Sequence, residues 1–423
     1  MLGTSTKNII MLKKDVKINI IGAGISGLIA AKVLEEQGYY PVIIEATERV
    51  GGRVKTDIFN GYQLDRGFQV LLTAYPAVQK YLNLDSLHLQ KLLPGAVIFK
   101  DNKQTAIGDP SRDLSLLFST IFSNIGTFTD KFKILKLNQK LKNKTVSEIF
   151  SKKEQTTLNY LLSFGFSEKM IDDFFRPFFS GIFLEKDLET SSRMFEFIYK
   201  MFGEGYAAIP KEGMEAIPKQ ISNNLKNTSI IFNSKVIDIN DSSVTLDDKS
   251  VLESDYTIIA TDPIDLTSSI KNCSWKSCDT IYFETESRGI KGKLIGLIPE
   301  KGSLINNIFY HTSLGVAKSA GKELLSVTVV DNQKLAEKDL INKVTQELKD
   351  KCSIEDVAFI KHYKIPKALP NITNVQYDTE IPTGLSNDCV ILAGDQQLNG
   401  SLNAAMLAGE KAAFGVLNRL GAN

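Results

Sequence analysis

KINIIGAGISGLIAAKVLEEQGYYPVIIEATERVGGR, Lys17 to Arg53, decides how this chain is read. An apolar run (Ile18, Ile20, Ile21) stops at Gly22-Ala23-Gly24-Ile25-Ser26-Gly27, and a helical pattern through Leu28, Ala31, Leu34 and Glu35 then runs to Gly38. That is strand, tight turn, helix and stop, the opening of a dinucleotide-binding βαβ unit. Gly22 allows the sharp turn, Gly24 lets the backbone approach a pyrophosphate, and Gly27 lets helix and strand pack closely. The helix N-terminus at Ile25 and Ser26 offers free N–H groups and about half a positive charge to phosphate. After Pro41, a second apolar run, Val42-Ile43-Ile44, delivers Glu45 and Ala46, with the acid 18 residues beyond Gly27. An acid there suits the two ribose hydroxyls of an adenosine and would repel a 2′-phosphate, so NADP is disfavoured.

The far end carries a second signal. Val390-Ile391-Leu392-Ala393-Gly394-Asp395 reads as a buried strand ending on an acid, and Gly400-Ser401-Leu402-Asn403 opens a helix rich in small residues, Ala404, Ala405, Ala408 and Ala412. Between the ends, Ile230–Phe232, Lys235–Ile239, Ser243–Leu246 and Tyr256–Thr261 are short apolar or alternating runs bounded by turn residues, which read as strands. Residues 76–204 carry mostly helical signals: Asp109-Pro110-Ser111 before LSLLFSTIF, the capping box Thr145-x-x-Glu148, and Ser191-Ser192 before RMFEFIYKMF. Residues 271–384 read as mixed strands and helices, with Leu324–Val330 the clearest strand.

Arg49-Val50-Gly51-Gly52-Arg53 follows Glu45 directly, and this ExxxRxGGR after a GxGxxG turn resembles the flavin amine oxidases, phytoene desaturases and protoporphyrinogen oxidases. The GD-then-GS closing motif at Gly394-Asp395 and Gly400-Ser401 is similar to theirs. The resemblance implies an α/β fold: a discontinuous Rossmann-like FAD-binding domain with a β-meander (residues 15–75, 205–270 and 385–423) and an α+β substrate domain of mixed sheet and helices (76–204 and 271–384). It implies noncovalent FAD, since none of Cys273, Cys278, Cys352 and Cys389 sits in a matching attachment motif. Arg49 and Arg53 would face the diphosphate with Gly51 and Gly52 passing beside it. The backbone near Val236 would meet the adenine, Ala260 and Thr261 the pyrophosphate, Asp395 the ribityl and phosphate region, and the helix begun by Leu402 and Asn403 the pyrimidine end of the flavin. Asp65-Arg66-Gly67-Phe68 resembles the step from cofactor to substrate region.

Composition bounds the partners. Fifty Lys plus Arg against 49 acids give a net charge of +1, no basis for nucleic-acid binding. The cysteines form no CxxC pair and no zinc pattern, so no metal is expected. No secretory signal is read in Met1 to Asp15, and Ile18–Leu34 is short for a bilayer of roughly 30 Å, so the expectation is cytoplasmic residence. Leu114–Phe122 reads first as a buried core helix, although in desaturase and protoporphyrinogen oxidase relatives the corresponding insert dips into a membrane surface. The run Phe174-Phe175-Arg176-Pro177-Phe178-Phe179 reads as core, with an apolar tunnel wall as the alternative.

His88, His311 and His362 are lone histidines, and no catalytic side chain is assigned. Flavin chemistry tolerates that, because the cofactor itself accepts hydride. The leading expectation is dehydrogenation of a small lipophilic substrate, with oxygen or a quinone as acceptor. Oxidative deamination of an amine, a redox-neutral flavin isomerase, and a flavin-free prenyl-binding module of the same fold stand as alternatives.

Overall fold

The computed structural model describes residues 13–108, 123–263, 266, 273–315, 321–378 and 389–421. Five strands drawn from the whole chain form one sheet in the order Ser229–Ile231, Val42–Ile44, Ile18–Ile21, Tyr256–Ile259, Val390–Leu392. Every pairing in it is parallel. A parallel sheet is covered on both faces, so its strands must be apolar throughout, and Ile20, Ile43, Ile258 and Ile391 are fully buried. Helices Ile25–Glu36 and Leu402–Arg419 pack together on one face. On the other, Ile21, Ile44, Ile259 and Leu392 pack against Val236, Val244 and Leu246, which belong to the antiparallel meander Val236–Asn240, Ser243–Leu246 and Val251–Glu253. The run at Ile230 therefore edges the parallel sheet, and Val251–Glu253 supplies a third meander strand too short to stand out in the sequence.

A seven-stranded mixed sheet lies beside this unit, in the order Ala358–Pro370, Trp275–Thr285, Glu323–Val329, Ile305–Tyr310, Ile295–Leu297, Gly95–Lys100, Lys103–Gly108. Helix Glu337–Cys352 packs Leu340, Val344 and Leu348 against one of its faces. The last two strands add a hairpin to the mostly helical residues 76–204. They turn around Asp101 and Asn102, both at positive φ (52° and 56°), the backbone that a two-residue turn between twisted strands requires.

Apart from the short strand Gln90–Lys91, the other described elements of that insert are helical, among them Phe128–Lys142, Val146–Phe150, Thr157–Phe164, Arg176–Phe183 and Ser192–Glu204. The capping box at Thr145 forms, with the Thr145 and Glu148 side chains each meeting the other's backbone, and Ser191 caps the last of these helices. Buried Glu196 ties the bundle together, accepting hydrogen bonds from Tyr160 (2.7 Å) and Lys144 (3.2 Å) and pairing with Lys152. The expected helix at Leu114–Phe122 and its Asp109-Pro110-Ser111 start lie outside the described residues. Among the described residues no helix is long and apolar enough to cross a membrane.

The two-helix layer is close-packed because the C-terminal helix is small where it touches the first. Ser26 Oγ donates to the Ala405 carbonyl at 2.7 Å, and a Cβ placed on Gly409 would lie 2.1 Å from the Ser26 carbonyl oxygen. The Gly409→Ala variant is therefore expected to lose about 1–3 kcal/mol through overpacking, measurable as a fall in the urea midpoint at unchanged m-value.

Candidate active site

A single cavity of about 1650 Å³ runs from the glycine turn after the first strand to a chamber under the helical insert. At the nucleotide end, Gly22 turns at φ +101° where an added Cβ would meet the Ala260 carbonyl at 3.2 Å. The peptide of Gly51 bonds the Ala23 carbonyl at 2.9 Å, so Gly51-Gly52 runs against Gly24, and a Cβ on Gly52 would lie 3.2 Å from the Gly24 Cα. Helix Ile25–Glu36 starts at Gly24 with no side-chain cap, leaving its first N–H groups for a ligand. A Cβ on Gly24 itself meets nothing nearer than Gly52 Cα at 3.9 Å. The protein does not need that space, and a diphosphate fits it.

Glu45 ends the second strand, buried, with Oε2 accepting from the Ala23 N–H (2.7 Å) and Oε1 from the Thr47 N–H (3.0 Å) and hydroxyl (2.7 Å). Its carboxylate is thus aimed while still lining the cavity. Arg53 pairs with buried Asp395, donates to the Ala368 carbonyl (3.2 Å), and lies 5.1 Å from the Trp275 ring. The two distant motifs meet there. Ala46, Ala260, Thr261, Gly394, Gly400, Ser401 and Leu402 line the same end of the cavity, with Ser401 capping the C-terminal helix through the Ala404 N–H at 3.0 Å.

Some expected cofactor residues lie off the cavity wall. Arg49 is held between Asp57 (2.5 Å) and buried Glu215 (3.3 Å), so its charge organises the turn's underside. Val236 points into the core beneath the sheet, though nearby Ser234 bonds the Glu45 carbonyl through its N–H at 3.0 Å. Asn403 is fully buried, its Oδ1 accepting from the Ala77 N–H at 3.0 Å. Ala23 and Gly27 act from behind: a Cβ on Gly27 would lie 2.0 Å from the Gly22 carbonyl oxygen.

Past the cradle, Arg66, Gly67 and Phe68 line the passage while Asp65 is buried behind them. Asp65 accepts from the Thr56 hydroxyl and the Met214 N–H (3.0 Å), and burial raises its carboxyl pKa to about 6. Asp57 accepts from Arg49, Arg66 and Tyr363; burial works to raise its pKa, but those donors outweigh it and hold it at about 2. The chamber itself is walled by Ile125, Ile134, Phe174, Phe178, Ile182 and Phe202, with Leu92 and Ile295 among its other apolar neighbours. The aromatic run divides: Phe174 and Phe178 stack on each other at 5.6 Å and face the cavity, whereas Phe175 is core. A π-helical turn over Ile171–Phe175 sets that division, consistent with the placement of such turns beside functional sites.

Sequence reasoning missed Lys276, whose Nζ donates to the Phe183 carbonyl and the Thr190 hydroxyl, each at 3.1 Å, on the cavity wall. Burial pushes its pKa below the usual lysine value. It sits on a strand with no motif around it, beside a bulge between Lys276 and Cys278, so no spacing signal marked it. The edge strand Ala358–Pro370, which brings Tyr363 and Lys364 to the wall, was hidden by Pro366 and Pro370, which weaken a strand reading. None of the three histidines lines the cavity. His311 is buried against Ser326 (2.9 Å) with its pKa lowered by burial to about 4, and His362 bonds Asp279 at 2.7 Å.

Comparison with known proteins gives the family and the fold. Residues 25–417 match the family described as flavin containing amine oxidoreductase. The chain is 28% identical over 267 residues to L-amino acid oxidase Lm29 of Lachesis muta, covering 57% of this chain and 50% of that protein. It is 26% identical over 171 residues to protoporphyrinogen oxidase 2, chloroplastic/mitochondrial, of Arabidopsis thaliana, covering 39% and 32%. The chain thus spans half or less of the length of these curated relatives. Cyclohexylamine oxidase from Brevibacterium oxydans IH-35A shares the fold at a TM-score of 0.67 and 15% identity, over 96% of this chain and 99% of that one. The class defined by fold and site is that of the FAD-dependent oxidoreductases. Within it, this chain belongs to the flavin containing amine oxidoreductase family, whose members bind FAD.

Two outcomes check the site. The Gly24→Val variant is expected to fold with a thermal midpoint close to that of the flavin-stripped parent yet purify without bound flavin, since its side chain has room in the protein but occupies the cradle; absorbance near the visible flavin bands and a melt read both. For Asp65, the folded pKa of about 6 exceeds the ordinary 3.8, so the folded state binds the extra proton and its stability advantage is lost as pH rises from about 3.8 to 6. Buried His311, with its pKa lowered to about 4, opposes this trend over nearly the same interval. The difference in melting temperature between Asp65→Asn and the parent should therefore grow as pH is raised from 4 to 6, which isolates the Asp65 contribution.

Proposed function

We propose that this chain is an FAD-dependent oxidoreductase that removes hydride from a carbon–hydrogen bond of a small, largely apolar organic molecule, a dehydrogenation, with oxygen or a quinone reoxidising the cofactor. The observation that carries this reading is the continuity of the cavity: a nucleotide cradle at one end opens directly into a phenylalanine- and isoleucine-walled chamber.

The bound FAD would supply the hydride acceptor. The first N–H groups of helix Ile25–Glu36 and the bare backbone of Gly24 and Gly52 would hold its diphosphate, and Glu45 its ribose hydroxyls. Arg53, fixed by Asp395, balances charge where the two cofactor motifs meet. The apolar chamber excludes water and orients the substrate by shape. Lys276 Nζ carries a proton at the chamber wall and, with its pKa lowered by burial, is a titratable group placed to exchange one, as is Lys131.

An uncharged substrate is favoured over an ammonium group by the state of the carboxylates. Among the described residues, those lining the cavity are Glu45, Asp57, Asp262 and Asp395. Each already has donors or a cation: Ala23 and Thr47 for Glu45, Arg49 and Arg66 for Asp57, Trp275 (3.1 Å) and Lys367 (2.6 Å) for Asp262, Arg53 for Asp395. Contact with a membrane surface, from which a lipophilic substrate would be drawn, is part of the same proposal.

The test is the visible spectrum of the purified protein, followed by anaerobic addition of carotenoid, porphyrinogen and amine panels. Flavin bands bleached by an uncharged apolar compound, and not by amines, are the expected result. Bleaching by amines alone would replace this reading with oxidative deamination, and a protein that takes up no FAD would remove it.

A further inference from the structure

The chamber is not apolar on every side. The face of the seven-stranded sheet turned toward it carries a polar row at directly paired positions across four neighbouring strands: Tyr363 opposite Thr280, Thr280 opposite Thr328, and Thr328 opposite Asn307. Directly opposed residues of paired strands share a face. Tyr363, Thr328 and Asn307 line the cavity. Thr280 is fully buried on the same face, and its hydroxyl has no hydrogen-bond partner among the described residues.

The hydrogen bonds fix which way the amides point. The Pro177 carbonyl can only accept, so the Asn306 group 3.1 Å from it is the NH₂. That same Nδ2 donates to Asn307 at 3.0 Å, which makes the atom it meets Oδ1. The Nδ2 of Asn307 is thereby turned to Thr328, donating to its Oγ1 at 3.3 Å. Gly181 lets helix Arg176–Phe183 close on this pair, because a Cβ there would lie 2.7 Å from Asn306 Nδ2 and 2.9 Å from Asn307 Oδ1. What remains unspent on the cavity wall, among the described residues, is a pair of donors, the second N–H of Asn307 and the Thr328 hydroxyl proton, whereas Thr280 lies behind that wall. Buried donors left unmade are costly, and native proteins seldom keep them without a partner.

We infer that Asn307 and Thr328 form a recognition pair for an acceptor oxygen of the ketone type carried on the otherwise apolar ligand. This deepens the proposed function and rests on its reading of the cavity as the substrate chamber. A pure hydrocarbon would leave the pair unsatisfied, so the inference narrows the substrate class to apolar molecules bearing a carbonyl oxygen. The donors in the pair are neutral, which matches a neutral carbonyl better than a carboxylate.

Equilibrium dialysis of the flavin-loaded protein against 2-acetylnaphthalene and 2-isopropenylnaphthalene tests it, since the two differ by an oxygen in place of a methylene. The ketone is expected to bind on the order of tenfold tighter, the size of one net hydrogen bond. In the Thr328→Val variant, which removes a hydroxyl at nearly constant volume, the ratio should fall to one or below; Asn307→Leu should act the same way. Retained flavin absorbance reports that each variant is folded. Equal affinities in the parent, no binding of either probe, or a ratio unchanged in both variants would overturn the inference. Dialysis needs no turnover, so a parent that prefers the ketone while no panel bleaches its flavin would fail the proposed reaction and leave the pair standing.

Discussion

The main chain of Gly51-Gly52 runs directly against that of Gly22–Gly24, and the remainder of the site depends on this contact. Two backbones meet with no side chain between them: the Gly51 peptide is bonded to Ala23, and Gly52 is close enough to Gly24 that a Cβ would crowd it. The approach leaves one side of the helix N-terminus open and bare while carrying Arg53 across to Asp395, 342 residues further along the chain. Arg49, from the same short motif, is pulled the other way by Asp57 and Glu215 and braces the turn from below. One arginine of the pair therefore faces the cavity and the other shapes the loop that presents it.

Electrostatics divides the cavity in a similar way. Near the cradle, charges are numerous and mutually committed; in the chamber they give way to phenylalanine and isoleucine, with Lys131, Asn138, Lys276 and the uncharged groups on the sheet among its polar points. A surface built like this discriminates by shape and by a few directed hydrogen bonds, since burial makes each of those bonds count.

The nucleotide half was legible because its signals are local. Strand, glycine turn, helix and terminal acid fall within Lys17–Glu45, and each glycine has a steric reason visible in a short window. The parallel strands showed themselves as unbroken apolar runs for the same reason that they are buried on both faces. The substrate half was less readable. Its hairpin around Asp101 and Asn102 carries a recognisable turn, yet sits in a stretch dominated by helical patterns. Lys276, Tyr363, Thr280, Thr328 and Asn307 come together only through strand pairing between segments far apart in sequence, and no window contains more than two of them. Whether Phe174 or Phe175 would face a cavity turned on a π-helical turn, which periodicity at 3.6 residues does not anticipate.

The interleaving of the parallel sheet also governs the order in which the molecule can form. Its central strand, Ile18–Ile21, is synthesised well before one neighbour, Tyr256–Ile259, and the outer strand on that side, Val390–Leu392. During synthesis the apolar βαβ unit must wait for partners more than 200 residues away, with Ile20, Ile258 and the faces of its first helix lacking their cover. Contacts of such long sequence separation make for slow folding and prolonged exposure of sticky surface. In the cell, the yield of this protein is accordingly expected to depend on protection of the nascent βαβ unit as much as on the stability of the finished fold.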